Sequence, residues 1–151
     1  MAGQLEKIWT KRAHAGVMDE QSEGELVVDK GLVNNVNQGG KRAITVISKE
    51  RWAEAEAMLD QTIDPKTRRA NLLVSGISLL DSRNMILTIG ETKIKLMGET
   101  RPCELMDKFV PGLRNALAKD WGGGAYGVVI EGGAIRVGDK VEIYDSETVT
   151  A

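Results

Sequence analysis

The sequence predicts a mainly β fold, a small barrel with two or three short helices inserted. Three observations lead there. Short β-branched or alternating apolar runs recur along the chain, each closed by glycine, asparagine or aspartate. Seventeen glycines against a single phenylalanine describe many turns around an aliphatic core. Helical periodicity is confined to a few brief stretches.

Residues 5–11 read as an opening strand and residues 25–28 as a short second one. Residues 31–42, rich in Asn and Gly, read as a loop. The β-branched run 43–47 has strand length, and Ser48 is placed to cap a helix over 49–60. There Trp52, Ala55 and Leu59 share one face, while Ala and Glu fill other positions with good helix formers. Asp64-Pro65-Lys66 is a turn, and residues 71–74 form a strand ended by Gly76. Residues 85–89 and 92–97 flank Gly90-Glu91 as a hairpin. In its second arm Ile94 and Leu96 alternate with Lys93 and Lys95, one face dry and one wet. Residues 103–109 suit a short helix with Leu105 and Phe109 one turn apart. Leu113, Leu117 and Trp121 share a face of another, which Gly122-Gly123-Gly124 ends. Strands follow over 126–131, 134–137 and 140–144, with Gly138-Asp139 as a tight turn between the last two. About seven to nine short strands result.

The 151 residues suit one domain over 1–151, without internal repeats or an interdomain linker. A formal net charge of −2 argues against a protein that wraps nucleic acid electrostatically. One Cys and one His exclude an intrachain disulfide, a thiol-rich zinc cage and an iron–sulfur cluster of the chain's own. The N-terminus lacks the pattern of a secretory signal, and no apolar run approaches the length of a membrane span. The expected address is the cytoplasm, where the thiol stays reduced. Oligomeric state is open.

Cys103 is the strongest nucleophile in the chain. Pro102 sets the backbone at a helix start, where free amides and Arg101 would stabilise a thiolate, while Glu104 and Asp107 oppose it. Such a thiolate could carry sulfane sulfur or ligate a soft metal. The plainer reading is a small buried hydrophobe. Lys66, Arg68 and Arg69 form a basic cluster ahead of Asn71, able to grip a phosphate through forked guanidinium donors, with Arg42 and Arg101 as recruits. The alternative is a solvated turn. Lys7, Lys11 and Arg12 read as surface charges. Asn34, Asn35, Asn37 and Gln38 offer amides that suit a heterocycle edge, or simply a turn. His14 reads as a surface or structural residue. The triple glycine is either a mobile flap or a helix stop. It is not a dinucleotide fingerprint, because it follows a helix where that motif opens one.

Together these pieces resemble the MOSC domain, the module named for the C-terminal part of molybdenum cofactor sulfurase, in its small stand-alone bacterial type. The resemblance runs through residues 24–145. It is carried by Arg69-Ala70-Asn71-Leu72-Leu73-Val74-Ser75-Gly76, Thr100-Arg101-Pro102-Cys103-Glu104-Leu105-Met106, Gly123-Gly124-Ala125-Tyr126-Gly127 and Gly132-Gly133-Ala134-Ile135-Arg136-Val137-Gly138-Asp139. Upstream, Gly39-Gly40-Lys41-Arg42 and Val46-Ile47-Ser48-Lys49-Glu50-Arg51-Trp52 belong to the same ordered set.

The resemblance implies a MOSC-type barrel and Cys103 as the family cysteine, ligating molybdenum or carrying sulfur. It implies molybdenum cofactor (molybdopterin) contacts at Arg69 and Asn71, with Arg68, Arg42 and Arg101 nearby. A cysteine desulfurase or a molybdoenzyme would be the partner. Three functions stay open: a cofactor-binding or sulfur-carrier protein, a molybdenum oxidoreductase working with separate electron donors, and a non-catalytic cofactor-binding module. One departure stands out. Many relatives carry Gly-Asp and one or two His before the paired glycines. This chain has Asn34-Asn35-Val36-Asn37-Gln38-Gly39-Gly40, so any acidic or imidazole role there is in doubt.

Overall fold

The alternating apolar strands close on themselves. The structure, a computed structural model, describes residues 3–13, 16–36 and 38–145. Among these the elements are β1 (Gly3–Lys11), β2 (Met18–Gln21), β3 (Glu23–Val27), β4 (Gly31–Leu32), β5 (Ile44–Ser48), α1 (Lys49–Leu59), a 3₁₀ turn (Pro65–Arg68), β6 (Leu72–Ser75), β7 (Ile86–Ile89), β8 (Thr92–Glu99), α2 (Glu104–Phe109), α3 (Leu113–Leu117), β9 (Ala125–Glu131), β10 (Gly133–Arg136) and β11 (Lys140–Tyr144). The main sheet runs β11-β7-β8-β9-β5-β6-β1-β2, and β11 also pairs with β1 at Gly3↔Val141, which closes a seven-stranded barrel. All pairings in that sheet are antiparallel except β5–β6, joined through α1 with Val46 opposite Leu72. A second sheet, β10-β3-β4, stands beside it. The described strands exceed the expected number because β2 and β4 are too short to show periodicity.

Strand alternation divides the apolar residues between two cores. Ile8, Val46, Leu72 and Val74 face the barrel interior with Ile94 and Leu96. Their neighbours Trp9, Ile47 and Leu73 face outward, where Trp52, Ala55, Met106, Leu113 and Leu117 cover them. Among the described residues no helix is long and apolar enough to cross a membrane.

Most expected elements are present, with bounds shifted by a residue or two. Ser48 caps α1, its hydroxyl accepting from the Arg51 amide at 3.2 Å. The 85–97 hairpin turns at Gly90, φ 55°. Two helical expectations are corrected. In α2 Leu105 and Phe109 are exposed, and Met106 is the buried anchor. The helix is six residues long, with Met106 its one buried residue. α3 stops at Leu117, because Asp120 and Trp121 both adopt left-handed backbone, φ 54° and 58°. Trp121 therefore leaves the helix face and packs, half-buried, against the barrel core.

Candidate functional site

Four segments distant in sequence meet around one buried guanidinium. Asp64 caps the 3₁₀ turn by accepting from the Lys66 amide, and Arg69 ends the turn in left-handed backbone, φ 62°. This fixes Arg68 as the last turn residue and drives its side chain inward, to 8% exposure. Arg68 Nε donates to the Gly123 carbonyl at 2.9 Å. Its Nη2 donates to the carbonyls of Thr100 at 3.1 Å and Arg101 at 3.4 Å. Arg68 thus ties the segment leading into Cys103 to the triple glycine. The Thr100 amide completes the join by donating to the Gly124 carbonyl at 2.9 Å. A Cβ on Gly123 would strike the Thr100 carbonyl, and one on Gly124 the Val46 carbonyl. The glycines are therefore a close-packed backbone contact, buried in the described structure.

Cys103 is exposed and occupies the N-cap of α2 in extended conformation, its side chain making no capping bond. The charge environment follows from Arg68. Burial lowers the Arg68 pKa first of all, the Cys103 charge next raises it, and Arg42 then lowers it. Lys11, at the end of β1, is also held below the ordinary lysine range: by burial, then by Arg69, then by Arg68. Cys103 and Arg42 therefore lie close enough to act on the Arg68 charge, and Arg69 and Arg68 close enough to act on that of Lys11. No carboxylate figures among the charges acting on Arg68 or Lys11.

The other candidates have distinct places. The Arg42 guanidinium lies over the Tyr126 ring, 4.6 Å from its centroid. Arg69 Nη2 donates to the Gly16 carbonyl at 2.7 Å. Asn71 is buried, and its side chain ties three strands: Oδ1 accepts from the Thr45 amide and hydroxyl, while Nδ2 donates to the Trp9 carbonyl. Arg101 gives its carbonyl to Arg68, but its guanidinium points into solvent, 3.9 Å from Glu99. In the polar loop Gln38 donates to the carbonyls of Leu32 and Asn35, and Asn35 Oδ1 accepts from the Lys11 amide. Asn37 and His14 lie outside the described residues. Lys11 is the residue that sequence reasoning set aside. It joins the cluster through strand pairing, and the only local signal was a lysine ending an apolar strand. Thr100 Oγ1, beside the Arg68 anchor, is buried with no hydrogen-bond partner among the described residues.

These features define a class: a small closed barrel presenting one reachable thiol against a cluster of buried and half-buried cations. The family model of the MOSC domain matches residues 13–142, and the chain belongs to that family, which is associated in general with molybdenum cofactor binding. Solved structures share the fold. The YuaD protein from Bacillus subtilis is 19% identical with a TM-score of 0.80, over 96% of this chain and 97% of that one. YiiM from Geobacillus stearothermophilus is 16% identical with a TM-score of 0.75, over 94% of this chain and 75% of its own. YiiM from Escherichia coli is 16% identical with a TM-score of 0.71, over 95% and 70%. A search of curated proteins finds no match.

Proposed function

We propose that this chain handles the molybdenum cofactor, with the Cys103 thiolate as the group that ligates its metal. The observation that supports this best is the setting of Cys103: an exposed thiol whose charge acts on the buried Arg68 guanidinium, with Arg42 acting on the same group. A thiolate is a soft ligand suited to the metal, and forked cations suit the cofactor's phosphate. On that donor chemistry the residues fit the group. Among the described residues no set of three or more His, Cys, Asp or Glu side chains could hold a metal ion, so a metal at Cys103 would bring other ligands with it. Arg69 and Arg68 would hold the phosphate and Lys11 would add charge. Arg42 would fix the pterin, while Asn71 fixes the chain around the site. When bound, the cofactor supplies two-electron chemistry at its metal. The chain's own task is positioning. Arg68 sets positive charge against the thiolate and, through the Thr100 and Arg101 carbonyls, fixes the backbone that carries it.

The exposure of Cys103 favours a second reading, sulfur carriage. The thiolate would attack the terminal sulfur of a cysteine desulfurase persulfide, forming a new S–S bond and releasing the donor thiolate. An acceptor nucleophile on a molybdoenzyme's cofactor would then take the terminal sulfur, and Cys103 would leave as thiolate. Both readings place the protein in the cytoplasm.

The test is to produce the wild type and Cys103→Ala in a host that makes the cofactor, and to measure bound molybdenum, released pterin and sulfane sulfur. Near-stoichiometric metal and pterin, lost in the variant, is the expected result. Sulfane sulfur on the wild type without metal would move the assignment to sulfur carriage. Neither ligand on either protein would sink both readings.

A further inference from the structure

Beside the thiol site, a groove of about 340 Å³ lies between the β1–β2 turn, the 3₁₀ turn and the end of α2. Val17, Met18, Phe109 and Val110 supply its apolar lining, and Lys66, Thr67 and Arg69 its polar lining. Val17 and Phe109 are exposed here, 58% and 49%. Among the described lining residues every charged group is a cation.

We propose that this groove binds a small apolar monocarboxylate, its chain against Phe109, Val17 and Val110 and its carboxylate at Lys66. The charge complementarity selects an anion, and the wall selects an apolar body. The size is at the small end of ordinary ligand pockets. A peptide would need partners for its amides, and Thr67 is the one neutral polar side chain among the described lining residues, so the assignment is to a free small molecule. This goes beyond the cofactor reading and does not rest on it: Cys103 takes no part.

The experiment is calorimetric titration of the full-length protein, produced in a host that makes no molybdenum cofactor, with octanoate, octylammonium and 1-octanol. Octanoate is expected to bind saturably, about tenfold more tightly than octanol, with no binding of octylammonium. Lys66→Glu should weaken octanoate about tenfold through the reversed charge, and Phe109→Ala by a similar factor through lost apolar contact. Both side chains are exposed, so both variants should keep the wild-type melting temperature, and Cys103→Ser should bind octanoate as the wild type does. Equal binding of octylammonium would overturn the proposal, as would no saturable octanoate binding. Octanoate binding indifferent to both groove substitutions would also overturn it. A short peptide ending in free leucine that binds where octanoate does not would overturn the small-molecule assignment.

Discussion

Replacing Arg68 by methionine tests whether one guanidinium holds the Cys103 segment to the triple glycine. Arg68 is 8% exposed. It makes bonds of 2.9 and 3.1 Å to the Gly123 and Thr100 carbonyls and a long one of 3.4 Å to Arg101. A hydrogen bond from a charged donor contributes about 1.5–3 kcal/mol net, so the two short bonds contribute ~3–6 kcal/mol. Against this, methionine removes the cost of burying a charge beside Arg42 and Lys11, on the order of 1–2 kcal/mol. The expected net loss is ~1–5 kcal/mol, which in a chain of this size lowers the melting temperature by roughly 2–20 °C. Circular dichroism in urea and on heating measures both. Arg68→Lys should recover little, because one ammonium cannot reproduce a fork that spans the Gly123 and Thr100 carbonyls. A loss under about 1 kcal/mol for methionine, or full recovery with lysine, would refute the tie.

Four further outcomes follow from the same contacts. At low salt Cys103 should react faster with a dianionic disulfide reagent than its reaction with neutral iodoacetamide would lead one to expect, and the advantage should collapse near 1 M salt as the cations are screened; rate ratios across a salt series check this. Lys11→Met should raise, not lower, the melting temperature of the ligand-free protein at neutral pH, since burial and two arginines oppose the Lys11 charge. Because the folded pKa is lowered, that gain should fade as pH rises through the folded value toward the ordinary 10.5. Asn71→Ala should cost ~2–3 kcal/mol in urea titrations, because the Trp9 carbonyl and the Thr45 amide and hydroxyl each lose a partner. Glu6 lies below its ordinary 4.5 through bonds from the Ser75 hydroxyl first and Gln4 next, with Lys49 adding charge. Its stabilisation is present above the unfolded value and lost as pH falls through the folded one, so the stability gap between wild type and Glu6→Gln should close as pH falls below the ordinary 4.5.

How much of this was readable in advance depends on whether the signal was local. The Ile94 and Leu96 alternation, the Ser48 cap and the Gly90 turn are set by neighbours in sequence, and each is present. α2 was placed correctly but faced wrongly, because a six-residue helix carries too few positions to tell an anchor such as Met106 from an exposed Phe109. The periodicity to Trp121 was genuine in spacing, yet two left-handed residues ended the helix first. At the site, Cys103 and the Arg68–Arg69 pair stood out by residue type. Lys11 did not, since only the pairing of β1 with β6 brings it beside that pair. The partition between Arg68, buried at the join, and Arg101, out in solvent, depends on which backbone each side chain crosses, and spacing carries no record of that.

The cluster around Arg68 has a physical consequence for function. A fold gains nothing from placing Lys11 and Arg68 where burial and neighbouring cations oppose their charges, with no carboxylate among the described groups that act on these two. Lys11 is desolvated and repelled by Arg69 and Arg68, and Arg68 is desolvated and repelled by Arg42, as their lowered values record. Arg68 and Arg69 have structural reasons to be there, through their carbonyl contacts. The others could be neutral at no cost to packing: Arg42 touches the core only by lying on Tyr126, and Lys11 secures its loop through its backbone amide. Charge kept where it opposes folding is the pattern of a binding site held ready for its ligand. Here the compensating species must be an anion, and it must reach the one exposed thiol at the edge of the cluster. An inert core cysteine would call for neither. This is why the placement of cations around Cys103, more than the cysteine itself, favours a thiolate that meets an anionic cofactor.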